Sequence, residues 1–309
     1  IDHKEAFQII HGPGNVGQML VESEKIDIIC FTGSTAVGKK IAKQCAETLK
    51  PVILELGGKD PMIILKDANQ RRAVESALFG GLSNAGQACI SIEQIYIEDD
   101  IFDDFTKKIS DKIEKMTAGD DVEDSIGSII TPQNYAKINE HISELDSTTQ
   151  IITGNSKNNK IFIPPTLVIN PPSDSKIMNE ETFGPVILLK PFNNEKDLLE
   201  KIHQTGYGLS GSIFGKDKHR IKQIIKKVKT GNMSINDVFS HYGIASLPFG
   251  GEGISGIGRL HGKEGLRSFC RTKSIVENKY NLIDEPWWFN RTKRMENLLK
   301  NAISFLYKW

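Results

Sequence analysis

The segment from residue 27 to residue 58 carries the strongest structural signal in the chain and reads DIICFTGSTAVGKKIAKQCAETLKPVILELGG. Its apolar, β-branched start at 27–31 predicts a buried strand, and the apolar stretch at 51–56 predicts a second one. A helix is expected from the turn at 32–35 to about residue 48, because apolar side chains recur every four residues at Val37, Ile41 and Cys45. Strand, helix and strand in this order are typical of a parallel α/β sheet.

The same alternation extends on both sides of this segment. A strand is predicted at 5–10, followed by a glycine-rich stretch at 12–17 and helical character at 18–24. Further strands are expected at 62–65, 94–97, 185–192 and 209–214. Helices are expected at 71–84, 101–116, 135–145 and 216–229, and polar loops at 119–128 and 153–160. The sequence therefore predicts an α/β protein.

Composition excludes several classes of protein. The 309 residues are enough for two domains or one large one, and 39 basic residues balance 39 acidic ones, which argues against nucleic acid as a partner. No apolar run reaches the roughly 18 residues of a membrane span, and the first residues do not resemble a signal peptide. Four widely spaced cysteines fit neither a disulfide framework nor a zinc site. The protein is therefore expected to be cytoplasmic and to bind no metal.

Two glycine-containing turns are candidate phosphate sites. Gly12-x-Gly14-x-x-Gly17 stands between a predicted strand and a predicted helix, as in dinucleotide-binding loops, although a plain tight turn also explains it. Gly33, Ser34 and Thr35 precede the helix that contains Gly38; they either bind phosphate at its amino end or simply cap it. A later repeat of this spacing, at residues 251–256, leads into no evident helix and is predicted to be a loop with unusual backbone angles.

Two residues are candidates for covalent and acid–base chemistry. Cys89 follows a predicted helix and a glycine turn, where a thiol would be exposed near backbone N–H groups; the alternative is a small buried apolar residue. Glu55 closes an apolar strand beside two glycines, where partial desolvation would raise its pKa toward that of a general base. The alternative for Glu55 is an ion pair at the strand end, for example with Lys59.

Together these residues identify a family. The chain resembles the NAD(P)-dependent aldehyde dehydrogenase superfamily over about residues 5–277, most closely its fatty-aldehyde and medium-chain branch. The resemblance implies a parallel-sheet cofactor domain followed by an α/β catalytic domain. The motifs that carry it occur in the family's order: Phe31-Thr32-Gly33-Ser34, Glu55-Leu56-Gly57-Gly58-Lys59, Gly86-Gln87-Ala88-Cys89, Glu181-Thr182-Phe183-Gly184-Pro185 and Pro248-Phe249-Gly250-Gly251.

The resemblance also implies roles for individual residues. Cys89 matches the nucleophile that forms a thiohemiacetal and then a thioester, and Glu55 matches the base that activates water to hydrolyse that thioester. Glu181 matches the carboxylate that binds the nicotinamide ribose, and Phe183 the aromatic side chain beside it. The cofactor is NAD or NADP, with NAD favoured, and the expected contacts are Gly14, Gly33, Ser34, Thr35, Gly38, Leu56, Gly57, Glu181 and Phe183.

The match begins downstream of the family's amino-terminal third, so the cofactor domain is expected to be incomplete at its amino end. That third carries the Asn that completes the oxyanion hole, and losing one such donor costs on the order of 10²–10³ in turnover. The expected division is 1–57 for the remaining cofactor domain, 58–262 for the catalytic domain, 263–283 for an oligomerisation strand and 284–309 for a carboxyl-terminal helix.

The carboxyl-terminal segment differs from the rest of the chain. Apolar residues recur at helical spacing from Met295 to Leu306, and from residue 290 onward five basic residues face one acidic residue. All three tryptophans, at 287, 288 and 309, lie here. Such a helix suits peripheral contact with a membrane, or packing on its own or a neighbouring subunit of a homo-oligomeric dimer or tetramer.

Three functions are compatible with these features. The first is oxidation of an aliphatic aldehyde of medium or long chain to a carboxylate. The second is a truncated, non-catalytic fragment that serves assembly or binding, which the absent third suggests. The third is an acyl-transferring reductase that passes the thioester to coenzyme A or phosphate, which has no need of the carboxylate of Glu55.

Overall fold

The computed structural model describes residues 6–157, 161–280, 288–289 and 292–307. These belong to two compact units, Ile1–Phe269 and Cys270–Trp309. The helices are α1 Gly14–Glu22, α2 Thr35–Glu47, α3 Gln70–Leu82, α4 Phe102–Ile113, α5 Pro132–Ser143, α6 Lys176–Asn179, α7 Glu195–His203, α8 Lys218–Ile225, α9 Ser240–Gly243, α10 Gly262–Ser268 and α11 Lys293–Leu306. The strands are β1 Ile29–Thr32, β2 Val52–Glu55, β3 Asp60–Ile64, β4 Ile92–Glu98, β5 Thr117–Ala118, β6 Gln150–Thr153, β7 Asn155–Ser156, β8 Thr166–Ile169, β9 Val186–Phe192, β10 Ser212–Phe214, β11 Ser234–Ile235 and β12 Gly256–Ile257.

A seven-stranded sheet with the order β11-β10-β3-β4-β9-β8-β6 forms the centre of the first unit. Neighbouring strands run parallel except for β6, which is antiparallel to β8. Both faces of this sheet are covered, because successive residues of β3 enter opposite cores: Met62 and Ile64 join one apolar cluster, and Ile63 and Leu65 the other. The predicted parallel α/β architecture is therefore present.

A second, three-stranded sheet with the order β1-β2-β12, called the small sheet below, contains the candidate base Glu55. β1 runs parallel to β2, and β12 pairs antiparallel on the other side of β2. Glu55 is the last residue of β2 and has Thr32 and Gly256 as its two neighbours. Gly256 has φ +156°, and a Cβ there would lie 2.2 Å from the Leu54 carbonyl oxygen, so only glycine fits. The predicted loop at 251–256 thus forms a short turn and brings β12 against the end of β2.

Most predicted elements are present, but one strand is wrong. Residues 6–10 form no strand, and Phe7, Ile9 and Ile10 are exposed, because no described strand lies beside them to pair with. The glycine stretch at 12–17 is accordingly not a strand-to-helix turn, since α1 already begins at Gly14. Sequence reasoning also missed β6, β8 and α7, whose periodic signals are short. None of the helices among the described residues is long and apolar enough to cross a membrane.

The second unit contains α11, the helix predicted from its apolar spacing. Thr292 caps it by accepting a hydrogen bond from Met295 N (3.4 Å), and Leu298, Ile303 and Leu306 are exposed along it. Residues 270–280 of this unit contain no helix or strand. Trp287 and Trp309 lie outside the described residues. The domain boundaries and the oligomerisation strand expected at 263–283 remain predictions.

Candidate active site

Glu55 occupies a buried position where the three strands of the small sheet meet. It is 5% exposed, and its Oε1 atom has no hydrogen-bond partner among the described residues. Burial raises the pKa of Glu55, while the neighbouring Cys89 and Thr32 side chains lower it. This is the environment expected for a general base that operates near neutral pH. Lys59, the alternative ion-pair partner of Glu55, instead pairs with Glu93.

Cys89 is positioned by a strained turn after α3. Asn84 and Ala85 both adopt left-handed backbone angles, with φ +53° and +56°, and Gly86 follows with φ +70°. A Cβ at Gly86 would lie 2.0 Å from the Gly184 carbonyl oxygen, so this turn packs directly against the loop that carries Glu181. The turn therefore fixes the cysteine relative to a second element of the site.

The Gln87 side chain holds the cysteine loop in place. Its amide donates to the carbonyl oxygens of Asn84 and Ser128, both at 3.0 Å, and its Oε1 accepts from Ile130 N at 2.8 Å. Gln87 is buried, so these bonds are shielded from water.

The Cys89 thiol is less exposed and less acidic than its sequence context predicted. It is half-buried, and burial raises its pKa, followed by the negative charge of Glu55 and then those of Asp60 and Glu181. A helix terminus or a cation would have lowered the pKa instead. The thiol therefore needs a base to remove its proton, and the carboxylate of Glu55 is the adjacent one.

Glu181 lies against the two glycines that follow β2. Its Oε1 accepts a hydrogen bond from Gly58 N at 3.1 Å, and a Cβ at Gly57 would lie 2.5 Å from Oε2. Glycine at position 57 is therefore required for this close approach. Burial raises the pKa of Glu181 to about 7, with the charge of Glu93 as the second cause.

A buried ion pair under this loop was not found by sequence reasoning. The Glu93 carboxylate accepts from Thr182 N (2.9 and 3.0 Å) and Phe183 N (2.9 Å), and it pairs with Lys59. These bonds support Phe183 in a left-handed conformation with φ +54°. Its signal in the sequence was available, because Glu93 stands in a buried strand between apolar residues such as Ile92 and Ile95. A buried charge of this kind needs a partner.

The candidate phosphate turn is a helix amino terminus with an accessible face. Ser34 caps α2 by accepting from Val37 N at 3.4 Å, and both Gly33 and Ser34 are exposed. Thr35 is tied to the β12 turn by a 3.1 Å hydrogen bond from its hydroxyl to the Ile254 carbonyl oxygen. The free N–H groups at the start of this thirteen-residue helix are suited to an anionic group.

Two further predicted contacts place α2 against the end of β2. Leu56 is buried, and a Cβ at Gly38 would lie 2.5 Å from its side chain, so Gly38 lets the helix approach closely. Gly33 N donates to the Glu55 carbonyl oxygen at 3.1 Å. Gly14 is exposed at the start of α1, and the structure assigns it no contact with this group.

The structure thus places the Cys89 thiol within range of the charges of both Glu55 and Glu181, although these two residues are 126 positions apart in the chain. Each belongs to a different supporting element: β2, the turn after α3 and the loop before β9. The α2 amino terminus adjoins this group through Gly33 and Leu56.

The chain is similar to known proteins of one family. Residues 3–275 match the model of the aldehyde dehydrogenase family. The chain is 31% identical over 300 residues to the 4,4'-diapolycopene aldehyde oxidase of a Methylomonas species, covering 97% of this chain and 56% of that protein. It is 33% identical over 273 residues to the succinate-semialdehyde dehydrogenase (NADP(+)) GabD of Escherichia coli K12, covering 86% of this chain and 56% of that protein.

A solved structure extends the likeness to three dimensions. The crystal structure of betaine aldehyde dehydrogenase from Staphylococcus aureus, determined in complex with NAD+, matches with a TM-score of 0.83 and 32% identity over 91% of this chain and 57% of that one. The chain therefore spans little more than half the length of the proteins it matches. On the extent of these matches, the chain belongs to the aldehyde dehydrogenase family.

Proposed function

We propose that this chain carries the reacting groups for the NAD(P)-dependent oxidation of an aldehyde to a carboxylate. The observation that carries the proposal is the juxtaposition of the Cys89 thiol and the Glu55 carboxylate, both shielded from water. A thiol with an adjacent general base is the pairing that covalent catalysis through a thioester requires, because the base removes the proton that the raised pKa of Cys89 retains. Retention of this base weighs against transfer of the acyl group to coenzyme A or phosphate.

In the proposed mechanism Glu55 first accepts the proton of the Cys89 thiol. The thiolate attacks the aldehyde carbon, and the backbone N–H of Cys89 donates to the oxygen that becomes negative. A nicotinamide cofactor, when bound, would supply the hydride acceptor for the oxidation of the thiohemiacetal to a thioester. Glu55 releases its first proton to solvent and then removes a proton from water, and the resulting hydroxide attacks the thioester carbon. The carboxylic acid and the Cys89 thiolate leave this step; the acid loses its proton to solvent, and the thiolate regains one from Glu55.

The residues of the site fit a dinucleotide. The α2 amino terminus with Gly33 and Ser34 would hold phosphate, and the carboxylate of Glu181 would accept hydrogen bonds from ribose hydroxyls, with Phe183 beside it. The fit rests on an accessible helix terminus and on Gly57, which leaves room for Glu181. We favour NAD, because it is the cofactor bound in the Staphylococcus aureus relative. The name of the Escherichia coli relative instead includes NADP(+).

An aliphatic aldehyde of medium or long chain is the proposed substrate. Cys89 packs against an apolar cluster made by Ile90, Leu209 and Phe249, with Phe239 next to them. Apolar and aromatic side chains around the nucleophile favour a hydrocarbon chain over a charged one. The names of the relatives include 4,4'-diapolycopene aldehyde as well as succinate semialdehyde and betaine aldehyde.

The test is NADH formation by the purified 309-residue chain with NAD and hexanal. It is run with and without an added amino-terminal third of the type found in longer relatives, and with Cys89→Ser as control. Turnover that depends on Cys89 in either arm supports the proposal. Absence of such turnover in both arms, with NAD and with NADP, contradicts it.

The chain's limited coverage of its relatives supports a second candidate, a non-catalytic assembly fragment. We further propose a cytoplasmic homo-oligomer, a dimer or tetramer, with pairing through residues 263–283. Sedimentation of an intact oligomer that binds no cofactor favours the fragment.

α11, with exposed apolar residues and neighbouring Lys and Arg, is proposed to contact membranes peripherally. Unchanged binding to anionic vesicles after deletion of residues 284–309 contradicts that contact.

A further inference from the structure

A small cavity adjoins the nucleophile on the side of the seven-stranded sheet. It lies between the start of β3, the residue after Cys89, the start of β10 and the segment before and within α9. The side chains that matter for its chemistry are Asp60, Ile90, Ser212, Phe239 and His241. Neither the reaction proposed above nor the sequence analysis assigns these polar residues a role.

Three buried polar atoms in this cavity have no hydrogen-bond partner among the residues that the structure describes. They are Asp60 Oδ2, Ser212 Oγ and His241 Nε2, from side chains that are 1%, 2% and 8% exposed. Buried polar atoms are hydrogen-bonded in more than about nine cases in ten, because an unpaired one costs about 1–3 kcal/mol. Three such atoms lining one cavity indicate a shared polar ligand.

The opposite atoms of two of these side chains are already engaged. Asp60 Oδ1 accepts from Ser210 N at 3.1 Å, and His241 Nδ1 lies 3.0 Å from Ser234 Oγ. Burial raises the pKa of Asp60 to about 8; the charges of Glu93 and Glu181 add to the effect and hydrogen bonds from Ser210 oppose it. Burial lowers the pKa of His241, against the charge of Asp237. At neutral pH both groups are therefore uncharged.

We propose that this cavity binds one water molecule that joins Asp60, Ser212 and His241, and that the site keeps Asp60 as a neutral acid behind Cys89. The cavity offers room for a molecule of that size, and three polar partners are what a buried water typically has. Asp60 Oδ2–H donates to the water, and the water donates to Ser212 Oγ and His241 Nε2. His241 is then protonated on Nδ1, and this N–H donates a hydrogen bond to Ser234 Oγ.

The site acts on the nucleophile through charge. A Cβ at Gly58 would lie 2.4 Å from the Cys89 carbonyl oxygen and 2.8 Å from Asp60 Oδ1, so the carboxyl group and the cysteine loop meet at this glycine. Cys89 already faces the carboxylates of Glu55 and Glu181, and a third negative charge at Asp60 raises the thiol pKa further. A neutral Asp60 removes that charge. This inference rests on the proposed role of Cys89.

The water itself is tested on the wild-type chain. A high-resolution crystal structure at pH 7 is expected to show one water within hydrogen-bond distance of all three atoms. Nitrogen NMR of His241 at the same pH is expected to show a neutral ring protonated on Nδ1. A cavity without that water, or a ring protonated on Nε2, overturns the proposal.

The effect on the nucleophile is tested with Asp60→Asn, whose amide mimics the neutral acid. Alkylation of Cys89 by iodoacetamide is followed by mass spectrometry from pH 6 to 10, with the exposed Cys30 in the same digest as internal control. We expect equal Cys89 rates below about pH 7 and about five-fold faster alkylation of the variant above pH 9, where only the wild type carries the third charge. Superimposable Cys89 curves over the whole range overturn the proposal.

These measurements separate two failures. Alkylation and NMR need neither cofactor nor turnover, so loss of the proposed oxidation leaves them interpretable. If Asp60→Asn does not fold, the crystal structure and the His241 tautomer of the wild type decide the question alone.

Discussion

The seven-stranded and the three-stranded sheet of the first unit differ in how completely the chain covers their strands. Every residue of β3 is buried in the seven-stranded sheet, whereas β1 of the small sheet alternates between half-buried and exposed residues. β3 lies between two strands, and β1 pairs with β2 alone among the described strands. An interior strand of the large sheet is thus fully covered, whereas the edge strand beside the base is only partly covered.

Because of this difference, the two reacting residues of the candidate site have different structural support. Cys89 is held by a turn that packs on the large sheet and by the buried Gln87 side chain. Glu55 stands at the end of β2, supported on its sides by Thr32 and Gly256. We therefore expect substitutions at Cys89 to affect the chemistry with little loss of stability. The position of Glu55 should depend more on how well the strands of the small sheet are buried.

The largest effect is expected from Cys89→Ser. A hydroxyl is a far weaker nucleophile than a thiol at this position, so aldehyde oxidation should fall by at least about 10³-fold. Because the two side chains are nearly isosteric and Cys89 is only half-buried, the free energy of unfolding should change little. Steady-state NADH formation and urea denaturation measure the two quantities.

The matched control for that prediction is Cys30→Ser, which lies in the small sheet and is exposed. Its turnover should equal that of the wild type. Equal losses in the two variants would mean that oxidation does not proceed through Cys89.

Glu55→Gln is expected to have the next largest effect, and a different kinetic signature. Without a base to activate water, turnover should fall by about 10²–10³-fold. Thioester formation before that step should continue in the variant, because loss of the Glu55 charge lowers the pKa of the Cys89 thiol and water can accept its proton. Single-turnover experiments with mass spectrometry of the protein should reveal an acyl group on Cys89 that persists for longer than in the wild type. A variant that turns over without any acyl accumulation and at the wild-type rate would remove Glu55 from the mechanism.

The comparison of the two sheets is tested by a pair of identical truncations. Ile63→Ala, in the large sheet, removes a fully buried side chain and should lower the free energy of unfolding by about 3 kcal/mol. Ile29→Ala, in the small sheet, removes a half-buried side chain and should cost about 1 kcal/mol. Denaturant titration of both variants gives the two values. Equal losses would contradict the difference in cover.

Much of the fold could be predicted from short-range sequence signals. The runs at 27–31 and 51–56 are apolar and β-branched, and they form β1 and β2 because parallel strands buried by helices need such side chains. The run at 5–10 has a similar composition but no described strand to pair with. Strand formation depends on a partner, which the local sequence does not contain.

The parts of the site that sequence reasoning missed are long-range. Lys59 and Glu93 are 34 residues apart in the chain and meet only because β3 and β4 are neighbours. The left-handed angles of Asn84 and Ala85 are imposed by packing against the Glu181 loop, since neither residue type requires them. The resemblance gave Gly57 only as a cofactor contact; the room that it leaves for Glu181 depends on a residue 124 positions away and could not be read from the local sequence.

A smaller effect than that of Ile63→Ala is expected in the pH dependence of stability at Glu181. Its pKa is raised to about 7 by burial and by Glu93, so between about pH 4.5 and pH 7 the folded chain binds a proton that the unfolded chain has released. The Glu181 contribution to the free energy of unfolding therefore falls as pH rises through this window, by on the order of 2 kcal/mol in total.

Glu181→Gln removes that titration and should flatten the curve between pH 4.5 and pH 7 without changing its shape above pH 8. Urea denaturation at half-unit steps of pH measures the slope. Glu180→Gln, one residue earlier and exposed, is the matched control and should retain the wild-type slope. If both variants keep the wild-type slope, Glu181 is ionised throughout this range, and the loop that carries it is more open to water than the contacts with Gly57 and Gly58 imply.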